Sequence, residues 1–510
     1  MSSGPSSARE RVALVADEGS FEEWDADVVS DDPLAFGDTK PYRERLAAAR
    51  QATGLGEAVL TGRAALEGRP FVAVAGEFGF LGGSIGVATA ERVARAFERA
   101  LEERLPLVAL PASGGSRMQE GTLAVVGMAK LADAAGRLRA AGLPYVVCLT
   151  HPTMGGVLAS WGSLGTVTFA LPGATVGFAG PRVVELLTGR ALSARVQRAE
   201  TLLAQGLIDD VVAPDVLRER VAAILAVAAP RPANARPPAP SASVSTPADA
   251  ARARDAWASL RHVRDRRRPG AGALLDAVAT DVTPLRGARD GHPDDPACFA
   301  ALARMAGFPA VVVAQRRRGD GAPAVMNASG YRKARRAMAL AAELALPLVT
   351  IVDTPGAELS EDAERGGLAG QIAGCLADVA ALPVPTVAIL LGEGGSGGAL
   401  ALLGADRVLV AEHASLGVIA PEGASAILYR DVEHAAELAA TQGGASWQLL
   451  EAGIADTLIP EPQPAHEQPG AFVERVGAAL SGALAEITAA DPVARLADRH
   501  RRWRNIGRPA

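Results

Sequence analysis

Short apolar runs alternate along the chain with Ala-rich stretches whose apolar positions recur at helical spacing. Residues 107–110 and 348–353 are such runs, and residues 88–105 and 330–346 are such Ala-rich stretches. Apolar runs of this length bounded by turn residues are typical of buried strands, and their alternation with helices is typical of βα units. The pattern therefore predicts an α/β fold with a largely parallel sheet that is buried on both faces.

The two halves of the chain carry the same four landmarks in the same order. In each half, a strand-like run leads into a small-residue turn, and a second run leads into a glycine pair; a Gly-x-x-x-Pro segment and a closing apolar segment follow. The landmarks are the turns 113–117 and 354–357, the pairs Gly155-Gly156 and Gly397-Gly398, the segments 177–181 and 417–421, and the segments 204–212 and 451–459. This repetition predicts two copies of one α/β unit related by internal pseudo-symmetry.

A Pro-, Ala- and Ser-rich stretch separates the two copies. A segment of this composition, without apolar periodicity, is typical of an extended linker. We therefore predict an N-terminal domain over residues 1–228, a linker over 229–250 and a C-terminal domain over 251–510.

Charge and cysteine usage exclude several classes of protein. The 510 residues include 51 Lys and Arg and 57 Asp and Glu, and the net charge of −6 favours neither a nucleic-acid nor a membrane-surface partner. Cys148, Cys298 and Cys375 lie far apart and form no CxxC pair, so we expect buried thiols, a reducing compartment and no metal site. We see no membrane-span or signal-peptide pattern, and the expected location is the cytoplasm.

The glycine pairs suggest a chemistry that uses the backbone. A strand that ends in Gly-Gly and turns directly into a helix leaves the first N–H groups of that helix without intrahelical partners. Such N–H groups can form a preorganised hole for a developing oxyanion. The alternative is that each pair only permits close packing, but the same device at Gly155-Gly156 and Gly397-Gly398 favours the donor interpretation.

Other functional motifs are weaker. Residues 392–397 match GxGxxG, with Glu412 at the spacing of a dinucleotide site, but the segment lies deep inside its half and its counterpart lacks the pattern. We find no phosphate loop and no GxSxG elbow, which disfavours direct ATP use and a serine hydrolase. Arginine runs at 264–268, 316–318 and 332–336 are interpreted as solvated helix faces, with phosphate binding as the alternative.

Several motifs together resemble a known family, the carboxyltransferase component of bacterial acetyl-CoA carboxylase. The first half resembles its β subunit and the second half its α subunit. The motifs are SGGSRMQEG at 113–121, LTHPTMGGVLAS at 149–160, DTPGA at 353–357 and GEGGSGGAL at 392–400. The resemblance covers nearly all of both halves apart from the linker and the tails.

The resemblance implies a crotonase-like ββα-spiral domain in each half, with the active site between a β-type and an α-type domain. It implies transfer of a carboxyl group from carboxybiotin, carried on a biotin carboxyl carrier protein, to acetyl-CoA or another short acyl-CoA. The implied product is malonyl-CoA for fatty-acid biosynthesis. The implied partners are a biotin carboxylase, the carrier protein and further copies of this chain in a homo-oligomer.

The resemblance also assigns roles to individual residues. Two backbone oxyanion holes are formed by the amides of Gly155, Gly156 and Val157 and by those of Gly397, Gly398 and Ala399. The acyl-CoA and biotin pockets are lined by Ser113, Gly114, Gly115 and Arg117 in the first half and by Gly356 and Ala357 in the second. Catalysis by backbone amides requires no side-chain nucleophile.

The sequence departs from the family in three places. It lacks the four-cysteine zinc ribbon of the β subunit, and Gly165-Thr166 stands where the family has Gly-Asp. The family's GAYPG turn is replaced by residues 356–360, with Glu358, Glu361 and Asp362 nearby. Two alternative functions stay open. One is a biotin-independent malonyl-thioester decarboxylase, and the other is a non-catalytic subunit that binds acyl-CoA or acts as a scaffold.

Overall fold

A computed structural model describes residues 7–32, 34–37, 39–193, 195–230 and 255–507. Its contacts divide these residues into two units. The first comprises the described residues up to 230 together with 289–291, and the second comprises 255–288 and 292–507. Most of the predicted linker, residues 231–250, lies outside the described residues, so the predicted domain boundaries stay predictions.

The first unit contains nine strands and eight α-helices among its described residues. The strands are β1 (Glu22–Trp24), β2 (Val59–Leu66), β3 (Arg69–Gly76), β4 (Leu107–Leu110), β5 (Tyr145–Leu149), β6 (Thr153–Met154), β7 (Val167–Ala170), β8 (Val176–Gly177) and β9 (Asp210–Val211). The helices are α1 (Ala8–Ala13), α2 (Tyr42–Thr53), α3 (Val87–Glu102), α4 (Gly121–Ala140), α5 (Gly155–Leu158), α6 (Pro181–Thr188), α7 (Ala199–Ala204) and α8 (Pro214–Ala228).

The second unit contains eight strands and eleven α-helices in the part of the chain that the structure describes. The strands are β10 (Ala279–Leu285), β11 (Cys298–Met305), β12 (Phe308–Gln315), β13 (Leu348–Thr354), β14 (Thr386–Gly395), β15 (Arg407–Ala411), β16 (Ser415–Gly417) and β17 (Thr457–Ile459). The helices are α9 (Ala256–Arg264), α10 (Ala271–Val278), α11 (Ala328–Glu343), α12 (Glu361–Arg365), α13 (Leu368–Ala381), α14 (Ser396–Leu400), α15 (Pro421–Leu428), α16 (Ala435–Thr441), α17 (Ser446–Glu451), α18 (Pro469–Ala489) and α19 (Pro492–Asn505).

The main sheets of the two units have the same strand order. The order is β1-β2-β3-β4-β5-β7-β9 in the first and β10-β11-β12-β13-β14-β15-β17 in the second. Beside these sheets, β6 pairs with β8 in the first unit, and the end of β14 pairs with β16 in the second. The shared topology confirms the prediction of two copies of one α/β unit.

Each sheet begins with antiparallel strands, which the prediction of a largely parallel sheet missed. The pairs β1–β2 and β2–β3, and likewise β10–β11 and β11–β12, are antiparallel, and the later pairs in each main sheet are parallel. Glu67 and Gly68 join β2 to β3 with φ of +51° and +73°, and Ala306 and Gly307 join β11 to β12 with +49° and +86°. Two consecutive residues with positive φ form a tight hairpin turn, for which Asn-Gly or Asp-Gly is the usual sequence. Here Glu or Ala stands in the first position, so the sequence pattern did not indicate the turn.

Small side chains fill the centre of both sheets. Residues 72–75 of β3 and 310–314 of β12 are all Val or Ala and are completely buried. Cys148, Cys298 and Cys375 are also buried, as predicted, and burial raises the pKa of each thiol to about 12. A sheet covered on both faces therefore tolerates only close-packed apolar rows.

A buried arginine attaches helix α19 to the second unit. The Arg499 guanidinium has no exposed surface and donates to both carboxylate oxygens of Asp406, each at 2.7 Å. It also donates to three main-chain carbonyl groups, those of Val379, Leu382 and Val384, at 2.8–3.0 Å. A buried charge with this many partners stabilises the fold only while the set is complete.

We predict that Arg499→Met lowers the free energy of unfolding of the second unit by about 3–5 kcal/mol, because Asp406 and the three carbonyl groups lose their buried donor. The measurement is the denaturant midpoint of the full chain. Arg501→Met is the matched control, since Arg501 is 69% exposed and its pair with Asp498 lies at the surface. The control is expected to cost less than about 1 kcal/mol, and similar losses in both variants would contradict the prediction.

Candidate active site

The turn after β4 packs directly against the segment that leads into α5. The Ser113 N–H donates to the Pro152 carbonyl at 2.7 Å, and the Met154 N–H donates to the Ser113 carbonyl at 2.9 Å. Within the turn, the Ser113 hydroxyl accepts from the Gly115 N–H at 3.0 Å. The structure thus brings together the turn and the glycine pair of the first half, which are far apart in sequence.

Helix α5 begins at Gly155, and its first two residues leave little room for any side chain larger than hydrogen. Gly155 has φ of +57°, and a Cβ on Gly156 would lie 2.6 Å from the Ser116 Oγ and 3.0 Å from the Met128 Sδ. In a helix that begins here, the N–H groups of Gly155, Gly156 and Val157 have no intrahelical acceptor. These are the three donors that the sequence predicted for the first hole.

The second unit repeats this arrangement with different residues. The Thr354 hydroxyl accepts from the Gly356 N–H at 3.3 Å, as Ser113 accepts from Gly115. A Cβ on Gly395 would lie 1.9 Å from the Pro355 carbonyl oxygen, and one on Gly398 would lie 2.8 Å from the Ala357 nitrogen. The turn and the helix therefore approach each other backbone to backbone in this unit too.

The glycine pairs suggested that Gly155 corresponds to Gly397, but the strand pairing of the two copies shifts this correspondence by one residue. Met154 pairs with Gly177, and Gly395 pairs with Gly417, so Gly155 corresponds to Ser396. The positive φ of Gly155, +57°, recurs at Ser396, +54°. Matching glycine to glycine misplaced the register, because a serine occupies the left-handed position in the second copy.

The register changes the second set of donors. Helix α14 begins at Ser396, so its first-turn N–H groups belong to Ser396, Gly397 and Gly398. Ala399 is the fourth helical residue, and its N–H serves the first intrahelical bond. The structure therefore adds Ser396 to the first-turn N–H groups beside Gly397 and Gly398, and the role predicted for Ala399 stays a prediction.

Two buried side chains hold the first turn of α14. The Gln315 amide donates to the Gly398 carbonyl at 3.0 Å and accepts from the Asp353 N–H at 3.2 Å. The Tyr331 hydroxyl donates to the same carbonyl at 3.1 Å, and burial raises the pKa of Tyr331 above its usual range. Gln315 thus ties the end of β13 to the helix, and Tyr331 remains a protonated donor.

The Arg117 side chain lies in a buried cluster of charged groups. Its side chain has no exposed surface, and its Nη1 donates to Glu57 at 3.0 Å and to Glu120 at 3.1 Å. Burial alone would lower the pKa of Arg117, but the charge of Glu57 and its hydrogen bond raise it above the ordinary value. In this structure Arg117 anchors the turn 113–117 from its buried side, and its predicted role at the substrate pocket stays a prediction. An acidic residue three positions further on, Glu120, is the sequence feature that could have indicated an ion pair at Arg117.

The acidic residues after the second turn face solvent. Glu358 is half-buried and accepts from the Ser360 hydroxyl at 2.8 Å. The side chains of Glu361 and Asp362 are 86% and 90% exposed, and both pair with Arg365 on α12. The altered turn therefore adds negative charge to the surface beside the second glycine site.

Several arginines of these runs form ion pairs with acidic residues of the second unit. Arg264 pairs with Glu393 and Glu422, Arg268 with Glu461, and Arg317 with Asp353. The solvated-face interpretation is wrong for the buried Arg268, and these pairings do not support phosphate binding by the three residues.

The described residues contain neither a metal cluster nor a membrane-spanning helix. Among them, no group of three or more His, Cys, Asp or Glu side chains could hold a metal ion. None of the helices in the same residues is long and apolar enough to cross a bilayer.

Comparison with known proteins identifies the class. The family described as acetyl co-enzyme A carboxylase carboxyltransferase-like matches residues 246–507. The probable biotin-dependent acyl-coenzyme A carboxylase beta3 subunit of Mycobacterium tuberculosis is 49% identical over 97% of each chain. The acetyl-coenzyme A carboxylase carboxyl transferase subunits beta/alpha of Parafrankia sp. are 42% identical over 99% of this chain and 86% of theirs.

A solved structure shares the fold. Transcarboxylase 12S superimposes with a TM-score of 0.74 at 24% identity, over 95% of this chain and 90% of that one. The chain belongs to the carboxyltransferase family of biotin-dependent acyl-CoA carboxylases, and its two units have the crotonase-like fold. The roles of the individual residues stay predictions.

We predict that Gly398→Ala reduces the rate of carboxyl transfer about 10²-fold, because the added Cβ displaces the first turn of α14 and its donors. The new atom would lie 2.9 Å from both the Gly356 carbonyl carbon and the Tyr331 hydroxyl. Steady-state kcat is the measurement, with circular dichroism to verify folding. Gly482→Ala on α18 is the control, since a Cβ there meets nothing within 4 Å. Full activity in Gly398→Ala would refute the importance of this close approach.

A second prediction concerns the hydroxyl that holds α14. Tyr331→Phe should lower kcat about threefold to tenfold, the equivalent of one hydrogen bond, while leaving KM nearly unchanged. Tyr145→Phe is the matched control, because its buried hydroxyl donates at 2.8 Å to the Trp161 carbonyl, outside the first turn of α5. Both variants should lose similar stability. Equal kcat values for the two would show that Tyr331 has only a general structural role.

Proposed function

We propose that this chain transfers the carboxyl group of carboxybiotin, carried on a biotin carboxyl carrier protein, to the α-carbon of acetyl-CoA or another short acyl-CoA. The duplicated turn-and-helix arrangement carries the proposal. In the first unit of this chain, the first-turn N–H groups of α5 lie beside the turn 113–117. In the second unit, those of α14 lie beside the turn 354–357. Two sets of donors match the two oxyanions that this transfer creates.

The chemistry needs two sites for negative charge. The bond between N1′ of carboxybiotin and the carboxyl carbon breaks, and a bond between that carbon and the acyl α-carbon forms. The α-proton goes to the ureido nitrogen that has lost its carboxyl group. Negative charge develops on the ureido oxygen and on the thioester oxygen, so one set of donors serves each oxygen.

The donors are effective only if they are placed before the reaction begins. Arg117 anchors the turn of the first copy, and Gln315 and Tyr331 hold the helix of the second. Preorganised dipoles cost no reorganisation when charge develops. The buried contacts that hold this turn and this helix therefore support an electrostatic role.

The proposal includes partners and an assembly. A relative is named as a subunit of a biotin-dependent carboxylase, which supports a separate biotin carboxylase and biotin carboxyl carrier protein as partners. Transcarboxylase 12S forms a hexamer assembly, which supports a homo-oligomer here. With acetyl-CoA as acceptor the product is malonyl-CoA, a precursor for fatty-acid biosynthesis.

The test uses the reverse reaction. Purified full-length protein with malonyl-CoA and free biotin is expected to release acetyl-CoA at a rate that depends on biotin, as measured by chromatography. Acetyl-CoA release of equal rate without biotin would favour a malonyl-thioester decarboxylase instead. Acyl-CoA binding without turnover of any short carboxyacyl-CoA would contradict the proposal and favour a non-catalytic subunit.

A further inference from the structure

Two buried acidic residues of the second unit stand just before the two elements of the candidate site. Asp353 immediately precedes the turn 354–357, and Glu393 lies three residues before Ser396, where α14 begins. The side chains of Asp353 and Glu393 are only 1% and 9% exposed. Buried carboxylates require partners, and both of these pair with arginines.

The first copy carries no charge at the corresponding positions. By the register that matches Gly155 to Ser396, Pro152 takes the place of Glu393. The residue directly before the first turn is Ala112. The two carboxylates are therefore specific to the second copy.

Arg317 connects the residue before the turn to the end of helix α9. Its Nε and Nη2 donate to the two carboxylate oxygens of Asp353, at 2.6 and 3.3 Å. The two Nη atoms also donate to the main-chain carbonyl groups of Val263 and Asp265, at 2.7 and 3.2 Å. The Arg317 side chain is 6% exposed, so this connection lies in the interior of the unit.

Arg264, the last residue of α9, connects the same helix to the strand that leads into α14. Its Nε and Nη2 donate to the two carboxylate oxygens of Glu393, at 3.0 and 2.6 Å. Its Nη1 donates at 2.6 Å to Glu422 in the first turn of α15. One guanidinium group thus fixes the end of β14 to both α9 and α15.

These contacts form a closed ring beside the turn and the start of α14. The Glu393 N–H donates to the Asp353 carboxylate at 3.3 Å, which joins the two acidic residues directly. The ring comprises Asp353, Arg317, the end of α9, Arg264 and Glu393. A movement of the turn away from α14 therefore requires at least one of these contacts to lengthen.

We propose that Arg264 is a positioning residue for the α14 donors, on which it acts through Glu393. This inference rests on the proposed function and deepens it. All three guanidinium nitrogens of Arg264 donate to protein carboxylates, so its effect on the rate comes from fixing the donors in place. A misplacement of about 1 Å at a reacting centre can cost about 10²-fold in rate.

Two substitutions of Arg264 test the proposal. Arg264→Gln should lower kcat about tenfold and change KM less than about twofold, because the donors act on charge that develops in the transition state. Arg264→Lys should lower kcat only about threefold, since an ammonium group keeps the charge but not the paired contacts. The assay is biotin-dependent turnover of malonyl-CoA, with circular dichroism to verify folding. Where Arg264→Gln does not fold, Arg264→Lys carries the test, and wild-type kcat in the folded variants would overturn the inference.

Arg502→Gln is the matched control. Arg502 donates to Asp456 at 2.7 Å, and the two side chains are 16% and 28% exposed. Asp456 directly precedes β17, at the amino end of a strand in the parallel part of the sheet, whereas α14 follows the carboxyl end of β14. The control should lower the denaturant midpoint about as much as Arg264→Gln and keep the wild-type kcat. Equal losses of kcat in the two variants would show a general structural role and overturn the inference.

A double variant tests the path through Glu393. Because both substitutions remove the same contact, kcat of the protein with Arg264→Gln and Glu393→Gln should be no lower than that of Arg264→Gln alone. Losses that multiply would show that Arg264 acts independently of Glu393, which contradicts the proposal.

The two proposals fail in different ways. Biotin-dependent turnover that is equal in wild-type protein and the Arg264 variants would refute the positioning role and leave the function standing. Biotin-independent decarboxylation of malonyl-CoA that Arg264→Gln slows would refute the function and leave the positioning role standing, because the thioester enolate needs the same donors. Wild-type protein that turns over no malonyl-CoA under either condition would refute both.

Discussion

The candidate site depends on backbone contact between a turn and a helix start that lie about 40 residues apart in the chain. The backbones of turn and helix come into close contact at Gly155 in the first unit and at Gly395 and Gly398 in the second. Any side chain at these positions would separate them. The parallel strands β4–β5 and β13–β14 provide this proximity, because the carboxyl ends of neighbouring parallel strands lie at the same edge of a sheet.

Polar side chains hold this contact differently in the two units. In the first, the buried guanidinium of Arg117 lies behind the turn and pairs with two carboxylates. In the second, the neutral groups of Gln315 and Tyr331 hold the helix through one carbonyl. A buried ion pair tolerates no loss of a partner, whereas neutral hydrogen bonds are lost at smaller cost. Loss of one supporting side chain therefore costs more stability in the first unit than in the second.

The sequence predicted the parts whose signal is local. Strand β4 and helices α3 and α11 follow from apolar periodicity, and the repeated landmarks revealed the two copies. Features set by tertiary contact were missed. The left-handed conformation of Ser396 cannot be predicted from its residue type, since serine rarely adopts it. The burial of Arg117 depends on Glu57, which is 60 residues away in the chain. Register and burial depend on partners that periodicity does not identify.

The donors of the proposed mechanism are peptide N–H groups, and this has a consequence for how the protein responds to its surroundings. A peptide N–H does not ionise in the range where proteins remain folded, unlike the histidine or carboxyl group of a general acid–base catalyst. The helix starts at Gly155 and Ser396 therefore keep the same electrostatic character as acidity changes. Any titration seen in the reaction then belongs to the substrates or to the supporting side chains rather than to the groups that stabilise charge.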